Sequence, residues 1–245
     1  MRCEKANVRN MFNVHRFKKG LITLLMLVPF LSKAQMNVTE YENRFSIRPY
    51  HFGISLGYNS TDFRIAFADQ FIGHDSVMQV LSTPGPGFNL GILTNLRMGK
   101  YFDLRFIPTL SFAEKTLNYT YRNESTSTQT VESLYLCMPF DVKFKSAAYK
   151  DMKVYVLGGM QYTYDFSSNA EARNAEGLVK IKPNDIAVNA GFGFEFYFPY
   201  FIFCPEIKLS NGIVNIHAVD PLLQESYVMD KLLSRTLLFC IHIEG

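Results

Sequence analysis

The sequence predicts an all-β protein, an eight-stranded antiparallel up-and-down barrel that crosses a membrane, with short turns at one end and long loops at the other. Three observations lead there. The chain opens on a segment with the build of an export signal. It then carries eight runs of period-two alternation, and the connections between those runs are short and long by turns.

In the opening segment, Arg9, Arg16, Lys18 and Lys19 precede an eleven-residue apolar run, Leu21–Leu31, which ends in small residues at Ser32 and Ala34. A basic start, a short apolar centre and a small-x-small end make a secretory signal. The apolar run falls short of the roughly 20 residues a membrane helix needs. Residues 1–34 are therefore expected to be a signal peptide removed after Ala34, and a start at Met11 instead of Met1 gives the basic lead-in a more ordinary length. Seven Lys/Arg and one Glu give this segment +6, against +3 for the whole chain, so the remainder sits near −3. The basic balance belongs to the export signal, and no basic patch interleaved with aromatics follows, so nucleic acid is not expected as a partner.

Removing those 34 residues from 245 leaves 211, a length that suits one domain. Cys137, Cys204 and Cys240 are too widely spaced for a disulfide framework or a metal site. They are expected to be small apolar fillers, and no metal or cofactor is expected.

The eight runs alternate as strands with two different faces. In order they are HFGISLGYN, GFNLGILTNLRM, LRFIPTLSFA, LYLCMPFDVKF, VYVLGGMQYTYDF, the segment from Ile186 to Phe198, FIFCPEIKL and RTLLFCIHI. One face of the first carries Phe52, Ile54, Leu56 and Tyr58, and the other carries Gly53, Ser55 and Gly57. The sixth sets Ile186, Val188, Phe192, Phe194, Phe196 and Phe198 against Asn189, Gly191, Gly193 and Glu195. Most runs have the nine to twelve residues that a tilted strand uses to cross a bilayer.

Short connections follow runs two, four and six, at 99–103, near 145–153 and at 199–200. Long polar ones follow runs one, three, five and seven, at about 61–85, 117–131, 167–184 and 211–231. An even strand number with this asymmetry is the layout of an outer-membrane barrel, its short turns in the periplasm and its long loops outside. The expected organisation is a periplasmic segment at 35–50 and a barrel over 51–245, with outer-membrane lipid around it. A soluble barrel also alternates, but it places bulky residues inside. Here the bulky face is too full for one narrow interior, and the opposite face is Gly, Ala, Ser, Thr and Asn with a few charges.

With the apolar faces on lipid, Phe192, Phe194, Phe196 and Phe198 form a lipid-facing aromatic stripe. Arg97, Arg105, Asp141, Lys143, Glu195, Glu206 and Lys208 then point inward, since Arg or Lys on lipid costs about 2–4 kcal/mol near the midplane. All lie within a few residues of short turns, so they are expected to gather in the periplasmic half of the lumen as an ionic network, with Arg97 or Arg105 meeting Glu195. An eight-stranded barrel is just wide enough for its side chains, so the network is expected to close the lumen.

No catalytic constellation stands out. His51 and His242 lie at the short-turn ends, while His74 and His217 sit in long loops beside or near Asp75 and Asp220, with no nucleophile marked. The chain is not expected to be an enzyme, and no small-molecule substrate is expected.

Several segments resemble the PorT family: FGISLGYN, PGFNLGILTNLRMGKYFDLRFIPTLSFAEKTLNY, CMPFDVKFKS, YVLGGMQYTYDF, PEIKLSNGIVN and LLSRTLLF. LRFIP and the SNG–N loop entry are the most specific parts. The resemblance implies an outer-membrane protein of Bacteroidetes associated with type IX protein secretion and, in gliding species, with gliding motility. It further implies a non-enzymatic protein needed to export cargo bearing a C-terminal sorting domain, surface proteases included. The ending IHIEG departs from the aromatic terminus of many outer-membrane barrels, with Phe239 a candidate substitute. The expectation is thus a secretion component acting through protein contacts, made by the long loops or by residues 35–50. The alternative is a small ion or solute channel, and a soluble secreted binding barrel stands third.

Overall fold

The alternating runs fold as strands that hydrogen-bond edge to edge until the last meets the first. The computed structural model describes residues 41–67, 77–121, 126–168, 180–218 and 229–245. The expected signal peptide, the start of the 35–50 segment, the outermost loops and His74 lie outside the described residues.

A short helix, α1 (Glu42–Ser46), precedes the wall strands β1 (Tyr50–Phe67), β2 (Val77–Arg97), β3 (Phe102–Phe106), β4 (Thr109–Tyr121), β5 (Thr126–Lys145) and β6 (Met152–Asp165). Then follow β7 (Lys180–Ile181), β8 (Asn184–Tyr197), β9 (Ile202–Gly212), β10 (His217–Ala218) and β11 (Met229–Glu244). Neighbours pair antiparallel around the ring, and β1 closes it by pairing with both β2 and β11. β3 and β4 are two parts of one stave, since both lie between β2 and β5. The interruption falls at Ile107–Pro108, where proline has no N–H to donate to the ladder. Its carbonyl still accepts from the Ile92 N–H at 3.1 Å. Parity survives the break: Asp103, Arg105, Ile107 and Ser111 are all buried, while Leu110 and Phe112 are exposed. Counted this way the ring has the eight staves that the alternation predicts.

Two of the expected long loops are mostly strand. β1 runs on to Phe67 and β2 begins at Val77, while β4 reaches Tyr121 and β5 begins at Thr126. Polarity made the stretch YRNESTSTQT look like a loop, but Thr and Ser suit strands well. Its described residues, Tyr121 and those from Thr126 to Thr130, continue the ladder, with Thr116 opposite Thr130 and Asn118 opposite Thr128. Side chains add to it: Asn118 Nδ2 donates to Thr83 Oγ1 at 2.9 Å, and Thr128 Oγ1 donates to Asn118 Oδ1 at 3.0 Å. Such a strand is polar because it rises beyond the apolar zone. The stretch TPGPG, read as the end of a loop, lies inside β2 as an irregularity between Pro84 and Gly87. The two-stranded β7–β10 pair sits within the two remaining long connections.

The outer surface is apolar over most of its height. Phe52, Ile54, Leu56, Tyr58, Phe88, Leu90, Ile92, Phe140, Val156, Phe192 and Phe239 are all exposed, Ile92 at 65%. Neighbouring rings reinforce one another across strands, as in the Phe88–Phe112 and Phe106–Phe140 stacks, each with centroids 4.4 Å apart. An apolar surface of this extent is far beyond what a water-facing monomer carries.

Candidate functional site at the short-turn end of the lumen

The inward positions of the staves converge in the half of the lumen nearest the short turns. Arg105 on β3 reaches across the lumen, Nη1 donating to Glu206 Oε2 on β9 at 2.6 Å and Nη2 to Glu244 Oε1 on β11 at 2.9 Å. The planar guanidinium suits this role because its fork serves two carboxylates at once. Lys143 on β5 bonds Glu195 on β8 and lies 3.7 Å from Asp103 on β3. Lys145 completes Asp103 at 2.6 Å, and Lys208 on β9 reaches Asp141 on β5 at 3.2 Å. Tyr155 on β6 lies between two of the cations, with Arg105 5.2 Å and Lys143 4.7 Å from its ring centroid. Its hydroxyl donates to Glu206 at 2.7 Å, and the Tyr197 hydroxyl donates to Glu195 at 2.6 Å. His242 Nε2 sits 3.4 Å from Glu206 Oε2 without hydrogen-bond geometry.

The ion-paired side chains are 5% exposed or less, so the layer is closed to water across the lumen. Ion pairs this deep persist because each partner neutralises the other, although Arg105 Nε, Asp103 Oδ1 and Glu206 Oε1 have no hydrogen-bond partner among the described residues. Small residues make the layer fit. Gly193 lies opposite Tyr155, and a Cβ there would meet the Tyr155 hydroxyl at 2.5 Å and the Pro205 carbonyl oxygen at 2.6 Å. Gly159 makes the same room for Asp141, whose Oδ1 would lie 2.4 Å from an added Cβ. Gly193→Ala is accordingly expected to push Tyr155 off Glu206 and lower stability by about 1–3 kcal/mol, measured as a fall in the urea midpoint of the detergent-folded protein.

Of the seven inward residues named from the sequence, Arg105, Asp141, Lys143, Glu195, Glu206 and Lys208 meet in this layer. Arg97 does not. It lies at the rim, 3.5 Å from Glu42 of α1. The expected pairing of Glu195 with Arg97 or Arg105 is corrected as well: Lys143 takes Glu195, because Arg105 is already held by Glu206 and Glu244. Phe192, Phe194, Phe196 and Phe198 all lie on the outer face, Phe192 and Phe198 the more exposed.

Asp103, Lys145, Lys153 and Glu244 were missed. All four continue the inward parity of their strands, but the first three fell within stretches read as turns, and Glu244 is the next-to-last residue. Tyr155 and Tyr197 are also inward and buried, and alternation gives a lone ring on the polar face no mark of its own. Glu42 carried no signal at all. It lies on α1, and its Oε1 accepts from Lys153 Nζ at 2.6 Å. Asp151 supports the same segment, its Oδ1 accepting from the Tyr41 and Glu42 N–H groups at 2.8 and 3.0 Å. Asp151 and its neighbour Lys150 both have positive φ, 54° and 47°, in the tight turn joining β5 to β6. For residues with a Cβ that conformation costs roughly 1–2 kcal/mol each, and here it aims the carboxylate at the backbone of α1.

Above the layer, the outer half of the lumen keeps a cavity of about 60 Å3 lined by Thr61, Ser111, Lys115, Tyr135, Thr163 and Asp185, among others. Lys115 is held there by the Tyr135 hydroxyl at 2.9 Å and faces the Phe63 ring at 4.4 Å. The space is well under the roughly 300–1,000 Å3 of ordinary ligand sites. Among the described residues no group of three or more His, Cys, Asp and Glu is placed to hold a metal ion, and Cys137, Cys204 and Cys240 are free thiols.

Several solved structures match the chain at low identity. Neisserial surface protein A matches with 7% identity and a TM-score of 0.42, over 78% of this chain and 96% of that one. The outer membrane protein OprG from Pseudomonas aeruginosa matches with 9% identity and a TM-score of 0.43, over 80% and 92%. The attachment invasion locus protein Ail of Yersinia pestis matches with 14% identity and a TM-score of 0.36, over 81% and 100%. No curated protein matches the chain. The outer membrane protein beta-barrel domain model matches residues 33–218, a span that holds every wall strand but β11, and the chain belongs to that family of outer-membrane β-barrels.

Proposed function

We propose that this outer-membrane barrel is a non-enzymatic component of type IX protein secretion, of the kind the PorT family represents, acting through contacts with other envelope proteins. The observation that carries the reading is the sealed lumen. A layer in which Arg105, Lys143, Lys145 and Lys208 are bound to carboxylates from five staves fills the bore with side chains. That suits a scaffold better than a conduit. The resemblance of LRFIP, SNG–N and their neighbouring segments to the PorT family supports the assignment to this machine. Deleting the gene in its native bacterium should block export of cargo with a C-terminal sorting domain and leave surface proteases immature. Normal secretion in the deletion strain overturns the reading.

A small ion or solute channel is the second reading, favoured by the polar cavity above the layer. It predicts conductance steps in planar bilayers that change when Arg105 or Glu195 is neutralised. Silent bilayers dispose of it.

A further inference from the structure

The periplasmic mouth carries a built socket that the chain fills with its own residues 41–46. Its apolar floor is Tyr197, Ile202 and Cys204, against which Tyr41 and Phe45 pack. The Phe45 ring lies 6.2 Å from that of Tyr197 and 6.0 Å from that of His51. Its charged wall is Lys153 with Arg97, both facing Glu42. Its rim is Asp151, which takes two backbone N–H groups. Arg44 adds one bond outside, to the Pro199 carbonyl at 3.3 Å.

We infer that this socket is a docking site for a periplasmic protein segment bearing a carboxylate and, three residues later, an aromatic ring, and that residues 41–46 occupy it as an exchangeable placeholder. This rests on the reading that the barrel acts by protein contacts, and it adds where one such contact is made. The occupant's chemistry is read from the built-in one: Glu42 for Lys153 and Arg97, Phe45 for the floor, two N–H groups for Asp151.

Two features make the occupant exchangeable. A five-residue helix has almost no stability of its own, and its N-cap residue Tyr41 makes no side-chain cap bond. The segment leaves the socket at Ile47, which is 82% exposed. The socket in turn does not stand open without cost. Lys153, 3% exposed on its side chain with α1 in place, is matched by Glu42. Release of α1 forfeits that charge-assisted bond, and an incoming carboxylate regains it. An acidic partner thereby favours exchange over simple release.

Cys204 reports the state of the socket because it lies under Tyr41 and Phe45 and is fully buried. The test uses the full chain, folded in mild detergent, with Cys3, Cys137 and Cys240 changed to serine so that maleimide reports Cys204 alone. Glu42→Gln should raise its labelling rate about tenfold, the loss of one charge-assisted bond. A synthetic peptide TEYENRFSI should slow labelling of that variant back toward the native rate, and the same peptide with glutamine at the position of Glu42 should not. Native-rate labelling of Glu42→Gln, or no protection by the acidic peptide, overturns the proposal. Heat-modifiable migration of each variant confirms that the barrel is folded. Labelling and secretion fail separately: a deletion strain that secretes normally removes the secretion role and leaves the socket, while unresponsive labelling removes the socket alone.

Discussion

Arg105→Met is expected to destabilise the barrel by about 3–5 kcal/mol, seen as a large fall in the urea midpoint and in the temperature at which the folded band shifts on a gel. Arg105 is fully buried and is the direct partner of both Glu206 and Glu244. Methionine keeps much of the volume but leaves two carboxylates facing each other without a cation. Most of the loss is therefore the penalty of uncompensated buried charge, not of missing contacts. A triple variant, Arg105→Met with Glu206→Gln and Glu244→Gln, separates the two. If charge is the cause, the triple variant recovers most of the lost stability, because neutral amides need no cation. A triple variant as unstable as the single one means that the guanidinium matters for its shape and packing, and the charge account is wrong. Arg105→Lys should fall between, since one ammonium cannot span both carboxylates as the fork does.

The sealed bore follows from a physical mismatch between wall and lumen. Eight staves leave an interior only as wide as its side chains, and the wall spends its bulky apolar residues outward. What remains to fill the bore is long and charged, so cations and carboxylates must pair there or not be there at all. Glycines at 159 and 193 then act as relief, letting Asp141 and Tyr155 cross toward Lys208 and Glu206, three and two staves away. Sealing is thus a consequence of the alternation, once bulky residues are committed to lipid.

The same alternation explains what could be read from the sequence. Period two identified the strands and the inward side of Arg105, Lys143, Glu195 and Glu206, because parity is a local property that tertiary structure rarely overrides when one face is buried. It failed at the strand ends. Asp103, Lys145 and Lys153 sit where strand meets short turn, and the residues around them, GKYFD and KSAAYKDMK, have turn composition. Only the ladder, which pairs Asp103 with Lys143 and Lys153 with Glu195, shows them to be strand. Pairing partners were legible only as a set. Which carboxylate Arg105 takes depends on the stagger of staves that are distant in sequence, and no spacing rule reports that. Glu42 shows the limit most clearly. Its role comes from a tail folding back more than 100 residues away from Lys153, and a five-residue helix has too little periodicity to announce itself.

The aromatic stripe on β8 allows a test of the membrane itself. Phe192→Arg is expected to lower stability by about 2–4 kcal/mol in lipid, whereas Phe198→Arg should change it by about 0–1 kcal/mol, because the penalty for a cation on the lipid face falls from midplane to interface. The two side chains are almost equally exposed, 46% and 43%, so simple loss of packing predicts similar effects. They differ in height. Phe192 is paired with Val156 on one side and Ile207 on the other, well inside the wall. Phe198 stands at the short turn, its N–H bonded to the Phe201 carbonyl at 2.9 Å. Folding each variant into lipid vesicles of fixed composition and titrating with urea reads the difference directly. A soluble barrel would tolerate arginine at both sites and become more soluble for it. Equal, small effects at Phe192 and Phe198 would therefore place this face in water, while a steep difference ties the stripe to the bilayer by the depth dependence alone.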